Sequence, residues 1–228
     1  MINPIELIMQ GLRKRFIQPL QYRGKGGYDA GRYWRDRFAK YGFSMQGVGL
    51  EGHTHAENLL IRGKSAQMFK KVCWPEFKDF SSLKVLEVGC GNGYYPNILN
   101  QWGVRDYTGV DITDILFGEL KGRFPAFRFI HGDISEKGLT DKYDLIIMMD
   151  VIQHIVSKAK LDAAMRNIKN AMKPSGLFII LPVSEKSYKH MFHVHQWSQE
   201  DIKETFADYR IESELARPNE YILKIRKP

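Results

Sequence analysis

Two groups of residues in this chain have the types and spacing to do chemistry. The first is Glu87-Val88-Gly89-Cys90-Gly91-Asn92-Gly93, followed eighteen residues after Gly93 by Asp111. Alternating glycines let a backbone turn tightly, adopt positive φ and touch a ligand with no side chain between. The dinucleotide fingerprint needs a third glycine where Tyr94 stands, and no Gly-Lys-Ser/Thr follows to make a P-loop. Glu87, two residues before the first glycine, would share its site with any pyrophosphate, and two anions repel. An acid at Asp111 can accept both hydroxyls of a ribose. Together these residues call for an adenosine-like ligand that carries positive charge and no phosphate. The second group is Asp150-Val151-Ile152-Gln153-His154. If a helical turn starts at Asp150, Asp150 and His154 share a face at i and i+4. His154 is then the base that works at neutral pH, and Asp150 orients it or binds an acceptor.

The elements that must position these residues read as alternating strands and helices. Strands are expected at 83–88, 106–110, 127–131, 143–149 and 176–182, and helices at 94–102, 113–123 and 159–172. Such alternation predicts a parallel sheet with helices on both faces and a binding site beyond the strand ends. The tail departs from it. Ser198 and Asp201 start a short helix that should end near Ala207, and 209–213 and 221–225 read as two further strands.

The glycine motif and Asp111 together resemble the class I S-adenosylmethionine-dependent methyltransferases. Later segments resemble the same family in the same order. Arg128-Phe129-Ile130-His131-Gly132-Asp133-Ile134 is similar to its third strand and following acid, Tyr143 to Asp150 to its fourth strand, and Lys173-Pro174-Ser175-Gly176-Leu177-Phe178 to the turn into its fifth. The resemblance covers roughly residues 81–185 well and the tail loosely. It implies a Rossmann-like, doubly wound α/β fold: a mostly parallel seven-stranded sheet with an antiparallel C-terminal hairpin and an N-terminal helical cap. The domains would be 1–80 for the cap and 81–228 for the methyltransferase core. The implied cofactor is S-adenosyl-L-methionine, leaving as S-adenosyl-L-homocysteine. The implied cofactor site is Glu87, Gly89, Cys90, Gly91, Gly93, Tyr94, Asp111, Ile112, Asp133, Ile134 and Asp150, with Asp133 meeting the adenine amino group. An aromatic and basic segment ahead of the core often closes over the cofactor in such enzymes. Tyr33, Trp34 and Arg37 fill that place here, Arg37 reaching the methionine carboxylate.

In this fold the end of the fourth strand faces the methyl group, so His154 and Asp150 become the catalytic candidates. Methyl transfer from a sulfonium is an in-line displacement, and the protein chiefly aligns the reacting atoms. A base is needed only where the nucleophile must lose a proton, as a hydroxyl must. The segment also resembles the Glu-x-x-Glu-His of some metal-dependent quinone and RNA methyltransferases, with Asp150 and Gln153 in place of the glutamates. Gln is a weak ligand, so a metal stays open. The Asn-Pro-Pro-Tyr signature of amino-directed nucleic-acid methyltransferases is absent. Tyr188 to Trp197 holds three histidines and three large aromatics among its residues, fit for a polar small-molecule acceptor or, less simply, a metal.

Length and composition bound the rest. The 228 residues, 43% hydrophobic, suit one domain with an extension and a full core. No apolar run reaches membrane-spanning length and no secretory signal is read. The two cysteines, Cys73 and Cys90, fit a reducing cytoplasm, since a disulfide within the glycine loop would be awkward. The net charge is +8, and the excess leans to the N-terminal third, from Arg13, Lys14 and Arg15 to Arg37 and Lys40. Asn3 and Pro4 start a helix whose Ile5, Ile8, Leu12 and Phe16 share a face that packs on its own domain or a partner's, or rests on an anionic membrane. Tyr33, Trp34 and Phe38 lie in a helix over 29–41 and could equally pack on the core. Thr54 and Glu57 form a capping box for a helix to about Cys73, with His53 and His55 at its mouth. The glycines at 47, 49 and 52 follow no strand and are not a nucleotide motif.

The activity expected is O-methylation of a small or medium polar acceptor such as a sugar, glycan or secondary metabolite. The alternative that the net charge motivates is an RNA methyltransferase, with steeply salt-dependent RNA binding. A non-catalytic cofactor-binding protein ranks last, because nothing in the glycine motif is degraded.

Overall fold

A computed structural model describes residues 9, 11–25 and 27–228. Seven strands form the central sheet: β1 Lys84–Val88, β2 Asp106–Asp111, β3 Arg128–His131, β4 Tyr143–Met149, β5 Met172–Ser184, β6 Arg210–Arg217 and β7 Glu220–Arg226. Their order is β6-β7-β5-β4-β1-β2-β3. Strands β1 to β5 run parallel, while β7 is antiparallel to both β5 and β6. The chain therefore reverses direction in sheet order between β1 and β4, and a crevice opens there beyond the strand ends.

β1 and β4 are buried on both faces, and their sequences show why: they are apolar almost throughout. Val85, Leu145, Ile147, Leu177 and Ile179 point to one side of the sheet, and Leu86, Ile146, Met148, Phe178 and Ile180 to the other. Five helices and a shorter one cover these faces: α1 Ala30–Tyr41, α2 His55–Cys73, α3 Tyr94–Gln101, α4 Phe117–Arg123, α5 Lys158–Ala171 and α6 Gln199–Lys203. Phe69, Val72, Leu99 and Leu120 pack on the first face; Leu161, Met165, Ile168 and Phe206 pack on the second.

Local chemistry sets the helix starts. Asp29 accepts the Arg32 amide ahead of α1. Thr54 and Glu57 make the reciprocal capping box ahead of α2, and Ser198 and Asp201 do the same for α6. That last helix stops at Lys203, short of Ala207, and continues as turns. The long strand β5 starts four residues ahead of the expected 176, because Met172 pairs with Tyr143 across a register shift.

The segment ahead of the core is anchored to it. Tyr22, Tyr28, Tyr33, Trp34 and Phe38 share one apolar cluster with Val85, Leu145 and Phe69. Leu12 and Phe16 do not join that cluster and are exposed, so the expectation that their face packs on the domain fails for them. Phe16 lies on a π-type turn, Arg13–Ile17, that Leu12 precedes and that runs into Gln18–Gln21. The expected start of this helix at Asn3, with Ile5 and Ile8, lies outside the described residues. A small ribbon of Tyr188–Met191 against Val194–Gln196 follows β5. No helix among the described residues is long and apolar enough to cross a membrane.

Candidate active site

The crevice between β1 and β4 opens into a cleft of about 1050 Å3, its open mouth included. One wall is backbone. Gly89, Gly91 and Gly93 all have positive φ, at 79°, 48° and 79°. At Gly89 a Cβ would run into Val151 Cγ2, and at Gly93 it would lie 2.6 Å from Leu120 Cδ2, so a side chain at either place would be strained and would have to displace a neighbour. Gly93 also stands as the N-cap residue of α3.

Two acids stand at the strand ends beside this loop. Asp111 is buried on the cleft wall, and its Oδ2 accepts the Gly91 amide at 2.9 Å while Oδ1 accepts the Thr113 amide at 3.2 Å. The side chain at the end of β2 thus fixes the glycine loop at the end of β1. Burial pushes its carboxyl up to about 6. Glu87 accepts the Tyr107 hydroxyl at 2.6 Å. Burial pushes the Glu87 carboxyl up to about 8, with Tyr107 and the nearby Arg62 opposing that rise. Further along, Asp133 accepts from Ser135 at its amide and hydroxyl and from Lys160 Nζ at 2.9 Å. Against the cost of its burial, these partners hold the Asp133 carboxyl below its ordinary value.

The other wall begins at Asp150, which ends β4 with φ 57°. Its amide donates to Leu181 on β5 at 2.7 Å. Its carboxylate is held from both sides: Arg62 Nη1 reaches Oδ2 and Arg217 Nη2 reaches Oδ1, each at 2.9 Å. Arg62 comes from α2 and also donates to the Val48 carbonyl. Arg217 ends β6 and pairs with Glu220 across the turn to β7. Two guanidiniums on one carboxylate fix a strained backbone position that a non-glycine residue seldom adopts.

Residues 152–154 form a single 3₁₀ turn. Asp150 and His154 therefore do not stack as they would on an α-helix, and the expected Asp150–His154 pairing is absent. Each is held by other groups. His154 Nδ1 lies 3.0 Å from the His193 carbonyl. A carbonyl only accepts, so Nδ1 carries the proton and Nε2 keeps its lone pair. Burial lowers the His154 pKa to about 4, so the ring is neutral near pH 7. Trp34 meets the ring edge-on at 4.8 Å, and the Tyr28 hydroxyl donates to the His154 carbonyl at 3.0 Å. Trp197 Nε1 donates to the next carbonyl, that of Ile155, at 2.7 Å. His193 itself is buried against Tyr33 and stacks parallel to His154 at 6.0 Å.

The cleft brings together Glu87, Gly89, Cys90, Gly91, Tyr94, Asp111, Ile112, Asp133, Ile134, Asp150, His154 and Trp34. Gly93, Tyr33 and Arg37 are not on its wall. Gly93 lies behind the loop, beside a shallower surface pocket with Lys70 and Arg123. Arg37 is buried and spends its donors on the Gly47, Gln46 and Gly49 carbonyls and the Tyr33 hydroxyl. It cannot reach a ligand carboxylate from there; it ties α1 to the glycine-rich turn at 46–49. The guanidinium that does line the cleft is Arg62. Neither His53 nor His55 lines the cleft, nor does any residue from Tyr188 to Trp197. That segment contributes a carbonyl and stacked rings from behind, not an acceptor wall. Among the described residues no three His, Cys, Asp or Glu side chains are grouped to hold a metal.

Sequence reasoning missed Arg62, Arg217, Tyr107 and the His193 carbonyl. Arg62 had no clear signal, being one of four cations on α2 with Lys64, Lys70 and Lys71. Arg217 and the His193 carbonyl had none, because each meets its partner across 67 and 39 residues of chain.

This sheet order, with a glycine crevice and strand-end acids at its reversal point, defines the class I methyltransferase architecture. A family model described as a methyltransferase domain matches residues 53–220, and the chain belongs to that family. Among curated relatives, the malonyl-[acyl-carrier protein] O-methyltransferase of Calditerrivibrio nitroreducens is 26% identical over 142 residues, covering 60% of this chain and 53% of that protein. The ubiquinone biosynthesis O-methyltransferase of Rickettsia prowazekii is 25% identical over 124 residues, covering 52% and 47%. The chain thus spans about half the length of these relatives. A highly reducing polyketide synthase of Gibberella fujikuroi matches over only 5% of its length. Among solved structures, the magnesium protoporphyrin IX methyltransferase of Synechocystis, crystallised with S-adenosylmethionine, aligns with a TM-score of 0.67 at 20% identity, covering 90% of this chain and 100% of that one.

Proposed function

We propose that this cleft binds S-adenosylmethionine and directs its methyl group to an oxygen nucleophile, a hydroxyl of a small or medium polar acceptor such as a sugar, glycan or secondary metabolite. The lining fits that donor. Buried acids at Glu87 and Asp111 favour a cation, and the glycine wall leaves room for its backbone-hugging end. When bound, the donor supplies a methyl group already activated by its sulfonium. Glu87 would face the ammonium, Asp111 the ribose hydroxyls, and Asp133 with Ile134 the adenine edge. Arg62 is the guanidinium on the cleft wall, already bonded to Asp150 and the Val48 carbonyl through Nη1 and Nη2.

The observation that carries the oxygen assignment is the tautomer of His154. Its proton is committed to the His193 carbonyl, so Nε2 is ready to take the proton an acceptor hydroxyl must lose. Both relatives named as O-methyltransferases support an oxygen acceptor. The deep cleft, walled by Trp34, Val151 and Ile155, is suited to a molecule smaller than a folded RNA.

The test is turnover with labelled methyl donor across hydroxyl, carboxyl and amine acceptors, with His154→Ala and His154→Gln beside the native chain. Loss of hydroxyl methylation in both variants with donor binding unchanged is expected. Full turnover in either would overturn the assignment.

A further inference from the structure

The exposed face over residues 9–20 has a composition that the cleft chemistry does not use. Met9, Leu12, Phe16, Ile17 and Leu20 are all exposed, Leu20 at 74% and Phe16 at 61%. Leu12, Phe16 and Leu20 recur every fourth residue along one side. A run of large apolar side chains left in water is unfavourable unless something covers it. The charge around it is one-sided. From Leu7 to Tyr28 the sequence holds Arg13, Lys14, Arg15, Arg23 and Lys25 and no Asp or Glu at all.

The segment is held at a defined place. Lys14 Nζ pairs with Glu51 at 2.8 Å, and Leu50 beside Glu51 is itself exposed. The Leu50 amide and carbonyl are bonded to Asn58 in the first turns of α2. Leu50 is thus a fixed, exposed apolar residue one position from the segment's anchor at Glu51. It is near the cleft rim, since Val48 lines the cleft two residues before Leu50.

We propose that this face docks the protein on an anionic lipid bilayer, with Leu12, Phe16 and Leu20 entering the interface and the basic residues meeting the headgroups. Interleaved aliphatic side chains and cations are what an interfacial helix requires. Each cation near a negatively charged leaflet adds attraction that falls off within a Debye length. RNA fits less well: its backbone would meet the cations, but leucine and isoleucine offer no stacking platform for bases. A second copy of the chain fits less well, because two such faces would bring like charges together, Arg13 and Arg15 of one against those of the other. The inference is independent of the acceptor reading, since docking is measured without turnover.

The experiment is co-sedimentation of the full chain with vesicles of phosphatidylcholine alone and of phosphatidylcholine with a third phosphatidylglycerol. Binding is expected on the anionic vesicles and much weaker on the neutral ones. Phe16→Glu/Leu20→Glu should weaken anionic-vesicle binding at least tenfold, and Arg13→Gln/Arg15→Gln by about fivefold per cation removed. Donor affinity and the thermal unfolding curve of both variants should match the native chain, which separates lost docking from lost folding. No binding to anionic vesicles, or binding that survives Phe16→Glu/Leu20→Glu, would overturn the proposal. So would a dimer in sedimentation equilibrium that this variant dissolves, or RNA binding that competes vesicles off at every salt concentration.

Discussion

At the ends of β1, β2 and β3 the cleft wall is made of short consecutive segments: residues 87–92, 110–112 and 132–135. Each supplies a turn, a glycine or an acid from its own strand end. At the end of β4 the wall is assembled from far apart. Asp150 is held by Arg62 from α2 and Arg217 from the hairpin, and His154 by the His193 carbonyl and by Trp34 and Tyr28 from the cap. The difference follows from what each half has to do. A donor of fixed structure can be met by local backbone geometry. A base must be kept neutral, oriented and dry, and that takes partners from several elements converging on one ring.

His154→Ala bears hardest on the comparison. If the assembled half carries the chemistry, turnover should fall by about 10²–10⁴ while donor affinity, read by calorimetry, stays put. Equal losses in both would mean the two halves are not separable. Asp150→Asn keeps a residue tolerant of positive φ but leaves two arginines facing a neutral amide. It should lower unfolding stability by about 3–5 kcal/mol in denaturant titration, and a loss below about 1 kcal/mol would mean the clamp is solvent-relaxed. Asp111→Ala probes the local half. Donor binding should weaken by about ten- to a hundredfold, since it removes both the charged ligand contacts and the brace on the Gly91 amide. Unchanged affinity would place the ribose elsewhere.

Two pH effects sharpen the contrast further. Glu87 is protonated in the free protein below about pH 8, and a cationic donor favours its ionised form. Donor binding at pH 7 should therefore release a proton, seen as a buffer-dependent calorimetric heat, and affinity should rise with pH up to about 8 by no more than tenfold per unit. His154 moves the other way. Its folded pKa of about 4 lies below the unfolded value near 6.5, so the stability its neutral form contributes is complete above 6.5. That contribution is lost as pH falls from 6.5 to about 4. The His193 pKa, lowered by burial to about 2, extends the same loss further into acid. A melting temperature flat from pH 7 to 4.5 in the native chain, and in His154→Ala alike, would count against a buried neutral pair.

The alternation of apolar strands with amphipathic helices was enough to read the sheet, because burial on both faces leaves a continuous apolar run that few other structures tolerate. Gly89 to Gly93 and Asp111 were readable for a related reason. Positive φ and a strand-end acid are local demands, met by residue type and spacing within one loop. The capping pairs Thr54 with Glu57 and Ser198 with Asp201 are equally local, and both formed as read. Arg37 and Asp150 with His154 were not readable in the same way. Their types were right for chemistry, but which partner each would take depended on helices and hairpins distant in sequence. A guanidinium satisfies itself at whichever carbonyls the fold brings within reach, and for Arg37 those belonged to the turn at 46–49. The sequence by itself therefore determined the sheet, the glycine crevice and the acids that suit a cationic donor. Only the tertiary structure decided the tautomer of His154, the double clamp on Asp150 and the exposure of the Leu12–Leu20 face, because each depends on contacts between parts of the chain that local propensity does not couple.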